Sequence, residues 1–346
     1  MNFHKILTDW YSIHKRDLPW RKTKNPYHIW LSEIILQQTQ IKQGLPYYDS
    51  FVINFPSVFD LAKAKEETVL KLWQGLGYYS RARNLHYTAK HIANEFNGVF
   101  PTSYNELLKL KGIGDYTASA IASICFEEST AVVDGNVYRL LSRYFGIETP
   151  INSTEGVKEF KNLAQKLLPK KNIGDYNQSL MEFGSRQCKP KNPNCNVCPL
   201  CEKCTARELN KIVILPVKLK KLKVTKKHFN FLVFISEDKR TILEQRIGKG
   251  IWQNLYQFPL VETNEDLKER DFNKNKTIVK FLNKKSYTVA LYNKKTIIHK
   301  LSHQHLYTKF WIIKVSKLPE RGVEISKLKT FPVPILISKF LEGFNF

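Results

Sequence analysis

Five cysteines crowd into seventeen residues near the middle of the chain, in the spacing Cys188-x6-Cys195-x2-Cys198-x5-Cys204 with Cys201 inside the last gap. Four thiolates this close can surround one tetrahedral metal ion or one iron–sulfur cube. Either would tie the chain into a compact loop. Disulfides are the poorer reading, because the N-terminus MNFHKILTDWYSIHKRDLPW has no apolar core or small-residue cleavage site of a secretory leader. Structural zinc usually uses two well-separated C-x-x-C pairs. One C-x-x-C with flanking gaps of six and five residues fits a compact iron–sulfur loop better. Cys201 reads as a spare thiol, or as a substitute for Cys204 in a shifted register. The sixth cysteine, Cys125, lies in an apolar helical stretch and reads as a core residue.

The chain has 346 residues, 42% of them apolar, which suits two or three packed domains rather than a disordered chain. Its 55 Lys and Arg against 31 Asp and Glu leave a formal charge of +24. Such a chain attracts polyanions, and duplex DNA carries about one charge per 1.7 Å. A general lysine bias would give the same balance, so charge alone does not assign a partner. No run approaches the ~18 apolar residues of a membrane span, which predicts a soluble, cytoplasmic protein.

Residues 1–210 read as helical. Apolar positions recur at helical spacing in 29–41, 68–73, 105–110, 117–126 and 156–168. The segment 211–227, KIVILPVKLKKLKVTKK, holds seven lysines and no acid. It reads as an exposed basic linker, able to follow a phosphate backbone or to act as a plain tether. Beyond residue 228 short β-like runs predict an α+β domain: HFNFLVFI, RTILEQR, KTIIHKLS and YTKFWIIKV. Residues 211–346 hold 28 basic and 11 acidic residues, so most of the excess charge lies there.

Three further motifs carry chemistry. Gly112-Ile-Gly114 stands between two helical stretches in Leu110-Lys111-Gly112-Ile113-Gly114-Asp115-Tyr116. This is the helix-hairpin-helix pattern, in which glycines allow a sharp turn and aim N–H groups at a phosphate. An ordinary helix–helix turn has the same residues. Asp134-Gly135-Asn136-Val137 places a carboxylate between a short apolar run and a helix, where it can serve chemistry or simply cap the helix. Glu33 lies in the apolar, aromatic run PYHIWLSEIILQQTQ. There it is either on a polar face or buried with a raised pKa, as a general acid requires. The adjoining Gln37, Gln38, Thr39 and Gln40 are neutral hydrogen-bonding groups suited to base edges.

The order of these motifs, with GLGYYSRARNL at 75–85, resembles the endonuclease III superfamily of DNA glycosylases over residues 10–205. Within it the chain is similar to the MutY family of adenine DNA glycosylases. The position used as a Schiff-base lysine by bifunctional relatives is Tyr116. GKGIWQNLYQFPLVE at 248–262 is similar to the C-terminal domain of that family, which shares the Nudix fold. NEDLKERDF at 264–272 lacks the clustered acids of a working Nudix box, so this domain is expected to bind rather than hydrolyse. Leu301-Ser302-His303 matches the family's F-S-H loop with Leu in place of Phe. Lys111 stands where Pro is usual, and Tyr138 where the family has a non-essential lysine.

The resemblance implies an all-α helix-hairpin-helix glycosylase core with an iron–sulfur loop, followed by an α+β Nudix-like domain. Implied boundaries are 1–210 (about 25–118 a six-helix barrel part, 1–24 plus 119–210 an iron–sulfur part), a linker at 211–227, and 228–346. It implies one [4Fe-4S] cluster on Cys188, Cys195, Cys198 and Cys204. Catalysis would fall to Glu33 and Asp134, with Tyr116 and Asn136 orienting water and acids. Arg16, Trp20, Arg21, Leu36 and Gln178 would line an adenine pocket. Gln38, Thr39, Tyr78, Lys111, Gly112, Gly114, Leu301, Ser302 and His303 would contact DNA. The expected partner of the monomer is duplex DNA with 8-oxoguanine·A or G·A mispairs, with no membrane. A pyrimidine-lesion lyase is disfavoured by Tyr116. A zinc-stabilised binding protein needs neither Glu33 nor Asp134.

Overall fold

The computed structural model describes residues 3–219, 224–282, 286–318 and 321–346. They form two compact units, Met1–Lys63 with Asn84–Lys220, and Ala64–Arg83 with Lys221–Phe346.

The helices, in chain order, are α1 (Phe3–His14), α2 (Pro26–Leu36), α3 (Ile41–Asn54), α4 (Val58–Lys63), α5 (Glu66–Leu72), α6 (Ser80–Glu95), α7 (Tyr104–Leu107), α8 (Asp115–Phe126), α9 (Gly135–Phe145), α10 (Thr154–Lys166), α11 (Ile173–Arg186) and α12 (Thr205–Glu208). Local sequence sets their ends. Asn25 caps α2, Ser153 caps α10, and Asp134 caps α9, each accepting a backbone N–H of the first turn. The apolar stretch 29–41 is not one helix: α2 stops at Leu36, and Gln38 takes a left-handed φ of 54° before α3 begins. The four neutral polar residues therefore sit in a turn. α2 buries Tyr27 and every residue from Ile29 to Ile35, so it has no polar face. α8 is buried likewise from Thr117 to Ile124. Leu7, Val137, Leu140, Phe160, Tyr176, Leu180 and Phe183 form a second core among α1, α9, α10 and α11.

The stretch read as a linker behaves otherwise. Arg143 Nε donates to Leu215 O (3.1 Å), Ile151 N–H to Val217 O (3.0 Å) and Leu219 N–H to Asn152 Oδ1 (2.8 Å). Leu215 is buried. Residues 211–219 are thus fixed to the helical unit by backbone hydrogen bonds, and residues 225–227 are already strand. Residues 220–223 lie outside the described part.

The second unit is built on β1 (Thr225–Ser236), β2 (Arg240–Thr241), β3 (Glu244–Gln245), β4 (Tyr256–Gln257), β5 (Leu260–Thr263), β6 (Tyr287–Leu291), β7 (Ile297–Lys300), β8 (Gln304–Val315) and β9 (Val323–Glu324). Its main sheet runs β5-β1-β8-β6, with β7 also on β8; β1 and β8 are parallel and the other pairs antiparallel. A parallel central pair needs cover on both faces. On one face Leu232, Phe234, Trp311 and Ile313 pack with Phe272, Ile278 and Leu282 from α13 (Glu269–Phe272) and α14 (Lys276–Leu282). On the other, α15 (Ile335–Gly343) lays Phe340 on Phe310, with ring centroids 4.2 Å apart, and edge-on to Phe258. This is the expected α+β domain. The second unit also takes in Ala64–Arg83, although the expected boundary puts this segment with the helical region at 1–210.

Phe340 anchors that face, so Phe340→Ala is expected to destabilise the second unit by about 3–5 kcal/mol. Calorimetry should show one transition lowered, with the helical unit's transition unmoved.

Candidate active site and DNA-contacting surfaces

One cavity of about 500 Å³ opens in the helical unit, lined by Arg16, Trp20, Arg21, Glu33, Leu36, Tyr116, Asp134, Asn136, Gln178 and Glu182 among others. It gathers all four residues expected to be catalytic and all five expected to line a base pocket. Glu33 is brought there by α2, whose apolar surroundings strip it of water. Burial pushes its pKa up to about 7; a hydrogen bond from Tyr116 and the charge of Arg21 oppose this, and the neighbouring Asp134 adds to it. Burial also raises the Tyr116 phenol well above its ordinary value, reinforced by both carboxylates.

Asp134 is both an N-cap and a cavity residue. Its Oδ1 accepts from the N–H groups of Asn136 (2.9 Å) and Val137 (2.8 Å), and its Oδ2 from Asn136 Nδ2 (2.6 Å). Burial raises its pKa, against these three hydrogen bonds and the charge of Arg139, which favour the ionised form. The two carboxylates thus differ in kind. One sits among apolar side chains, and the other is cradled by donors at a helix N-terminus.

The hairpin lies at the start of α8. Gly112 has φ 83°, and a Cβ there would stand 2.7 Å from Asn84 Cβ, so the turn requires glycine twice over. Gly114 precedes α8 with no side chain capping it. Lys111 lies 4.3 Å from the centre of the Tyr87 ring. Asp115, one residue into the helix, is engaged by Tyr104 (2.7 Å) and by Lys161, whose Nζ also donates to Ala131 O (2.8 Å). Lys161 so ties the start of α8 to the segment leading into Asp134.

The cysteines of the loop line one small cavity: Cys188, Cys195, Cys198, Cys201 and Cys204. Among the described residues, no three His, Cys, Asp or Glu side chains group closely enough to hold a single metal ion. Burial pushes the Cys198 thiol up to about 12, with Cys188, Cys204 and Cys195 adding to it; burial likewise raises Cys204, with Cys188 and Cys195 adding. The four expected ligands therefore sense one another's charge. Arg143 Nη1 faces Cys188 Sγ at 3.5 Å.

In the second unit a cavity of about 490 Å³ is lined by Gly75–Ser80 and Arg83 on one side and by Trp252 and His299–His303 on another. Backbone strain stands on both walls: Tyr78 has φ 46° and Trp252 φ 59°. Leu301 N–H donates to Gln304 O (2.9 Å), which closes a turn displaying Ser302 and His303 to solvent. The 64–83 segment is held by specific hydrogen bonds. Gln74 Nε2 donates to Ser338 Oγ (3.0 Å), Gln74 Oε1 accepts from Val333 N–H (3.3 Å), Tyr256 OH donates to Glu67 Oε1 (2.6 Å), and Arg83 Nη1 donates to Gln253 O (2.9 Å). Gln38 and Thr39 stand apart from this segment in sequence; Thr39 lines the larger cavity of the helical unit.

Residues 31–170 match the model of the HhH-GPD superfamily of base excision DNA repair proteins, and residues 230–343 that of the NUDIX domain. An adenine DNA glycosylase of Buchnera aphidicola (subsp. Schizaphis graminum) is 39% identical over 293 residues, 82% of this chain and 84% of that protein. The chain belongs to the adenine DNA glycosylase family. A solved thermostable thymine-DNA glycosylase superposes with TM-score 0.56 at 30% identity, over 60% of this chain and 95% of that one. A trapped endonuclease III–DNA covalent intermediate shares the fold, with TM-score 0.52, 21% identity, and coverage of 60% and 94%. The chain is a monofunctional base excision repair glycosylase that binds duplex DNA, and its HhH-GPD region is followed in sequence by a Nudix-like domain. No helix among the described residues is long and apolar enough to cross a membrane.

Two features of this glycosylase lay outside the sequence reading. Glu182, fully buried on α11, accepts from Arg16 N–H (3.0 Å), Arg16 Nε (2.8 Å) and Arg21 Nη2 (2.7 Å). Burial alone would raise its pKa, but the two guanidinium groups hold it down at about 2. Arg16 and Arg21 are thus fixed, partly neutralised walls of the cavity rather than free cations. Arg139 Nη2 donates to Asn136 Oδ1 (2.9 Å), and its Nε to Cys188 O (2.8 Å). A buried guanidinium therefore links the cysteine loop to the residue that holds Asp134. The first feature depends on the segment after α1 packing on α11, and the second on α9 packing on the segment after α11; Glu182 lies more than 160 positions from its arginines, and Cys188 lies 49 from Arg139.

Glu33 carries a folded pKa above its unfolded value, so its stability cost is absent below the unfolded pKa and grows as pH rises toward 7. Glu33→Gln is therefore expected to be more stable than the parent by about 2–4 kcal/mol at pH 8, a gain that vanishes near pH 4 in denaturant titrations. Arg139→Gln is expected to slow single-turnover base release about tenfold or more, by loosening Asn136 and Asp134. Unchanged release would show that the link to Asn136 is structurally idle.

Proposed function

We propose that this glycosylase removes adenine mispaired with 8-oxoguanine, or with guanine, from duplex DNA by acid-assisted hydrolysis of the N-glycosidic bond. The observation that carries the reading is the pair of unlike carboxylates in one cavity: Glu33, buried with its pKa pushed up to about 7, and Asp134, held by three donors. Adenine leaves poorly as an anion. A protonated Glu33 delivers a proton to N7 and makes the base a neutral leaving group. The sugar then develops oxocarbenium charge, which the Asp134 carboxylate stabilises directly or through a transient covalent bond. Tyr116, hydrogen-bonded to Glu33, and Asn136, hydrogen-bonded to Asp134, orient the acids and the attacking water.

The reaction needs a base out of the stack. Gln38 and Tyr78, both at left-handed backbone positions, act as wedges that fill the gap. Trp20 and Leu36 cover the purine faces, Arg16 and Arg21 close the pocket, and Gln178 reaches a polar edge. Thr39 supports the displaced strand. Gly112 and Gly114 present N–H groups to a phosphate, with Lys111 adding charge. Ser302 and His303 hydrogen-bond the 8-oxoguanine opposite, and Leu301 gives apolar contact without an aromatic ring. Cys188, Cys195, Cys198 and Cys204 hold one [4Fe-4S] cluster; four soft thiolates around a single cavity fit a cube, and Arg143 faces one of the sulfurs. When bound, the cluster supplies a fixed loop and no chemical step. The domain scheme is a helical glycosylase region followed by a lesion-reading domain, acting as a monomer.

Single-turnover assays on duplexes with adenine opposite 8-oxoguanine test the reading. The parent should release adenine, with strand breaks appearing mainly after hot alkali, and Glu33→Gln should release none. The rate should fall as pH rises above about 7, because the acid is lost. Ser302→Ala with His303→Ala should reduce the preference for 8-oxoguanine·A over G·A by about tenfold, since two hydrogen bonds are worth roughly 1–3 kcal/mol. No release from folded, iron-loaded protein would overturn the proposal.

A further inference from the structure

Three successive hydrogen bonds of the i to i+3 kind run through the cysteine segment. Cys198 N–H donates to Cys195 O (3.3 Å), Cys201 N–H to Cys198 O (3.0 Å) and Cys204 N–H to Cys201 O (3.4 Å). The last closes the 3₁₀ turn Cys201–Lys203. Cys195, Cys198, Cys201 and Cys204 thus stand at the joints of three linked turns, and together with Cys188 all of them line the same cavity. A cubane cluster takes four thiolates, so the cavity holds one more than it needs.

We propose that Cys201 is a reserve ligand that takes the place of Cys204 when that position no longer offers a thiolate. The proposal rests on the iron–sulfur reading of the loop. Position 204 is the one Cys201 can replace with the least rearrangement. The substituted set Cys195-x2-Cys198-x2-Cys201 uses consecutive joints of the turn series, whereas loss of Cys195 or Cys198 would leave a gap within it. Cys188 lies outside the series, on the segment after α11, beyond the reach of an i+3 shift. The exchange is a ligand substitution: a bond forms between iron and Cys201 Sγ, and the thiol proton passes to solvent. No oxidation state changes.

Four proteins test this: Cys201→Ser, Cys204→Ser, the double variant, and Cys188→Ser as a loss control. Each is purified without oxygen, and iron and sulfide per chain are measured alongside visible absorbance. Cys201→Ser should carry the parent's iron. Cys204→Ser should keep more than about half of it, and the double variant should hold about fivefold less, near the Cys188→Ser level. Alkylation and peptide mapping give a second readout: Cys201 should be labelled in the native parent and protected in Cys204→Ser. Loss of iron from Cys201→Ser would make it a resident ligand and overturn the proposal. So would a Cys204→Ser protein that is insoluble or as iron-poor as the double variant, because a reserve ligand must keep the loop assembled. A parent free of iron would instead sink the cluster reading itself.

Discussion

The proposed chemistry of the helical unit's cavity depends on one constraint: two buried carboxylates must share a site without sharing a protonation state. Burial by itself would push both toward the neutral form. The backbone breaks that symmetry. Asp134 stands at the N-cap of α9, where two N–H groups and the Asn136 amide hold its charge. Glu33 stands on the buried surface of α2, where burial acts against its charge and a hydrogen bond from Tyr116 and the charge of Arg21 oppose that effect. The contrast between the two carboxylates is thus one between a helix N-terminus that supplies donors and a buried helix flank that does not.

Most of the surrounding structure holds those two helices in place. Lys161 ties the start of α8, which carries Tyr116, to the segment before Asp134. Arg139 joins Asn136 to the carbonyl of Cys188, and Arg143 reaches Leu215, Lys189 and Pro190. The cysteine loop is therefore part of the support of the active site rather than an appendage. Glu182 plays a related role across the cavity, since a buried carboxylate with two guanidinium partners keeps Arg16 and Arg21 in fixed positions. Removing it would leave two cations competing in one wall.

The second unit shows the same economy at a different site. Gln74, Tyr256 and Arg83 hold 64–83 by its backbone and side chains, and the segment leads to Tyr78, whose left-handed backbone aims an exposed ring into a cavity shared with Ser302 and His303. A strained residue persists only where its neighbours over-determine it. Tyr78 and the 301–303 turn are in this way parts of one built surface, the one to which the proposed wedge and lesion-reading roles are assigned.

Much of this was legible in the sequence, because chemistry and backbone geometry leave local marks. Four cysteines at metal spacing, glycines where a turn needs them, a carboxylate ahead of a helix and an acid in an apolar run are each short-range patterns. They sufficed to place Glu33, Asp134, the hairpin and the cysteine loop. What the sequence could not carry is pairing over distance. Nothing in residues 16 and 21 announces Glu182, and nothing near Asn136 announces Cys188, because such contacts are set only when the segment after α1 and helix α9 pack on α11 and the chain that follows it. The lysine-rich segment misled for the same reason. Its composition reads as a tether, yet its carbonyls and amides find partners on Arg143, Ile151 and Asn152. Local sequence fixes which chemistry is present and where chains turn; only tertiary packing decides which buried charges meet, because it alone sets the burial and the partners of each carboxylate.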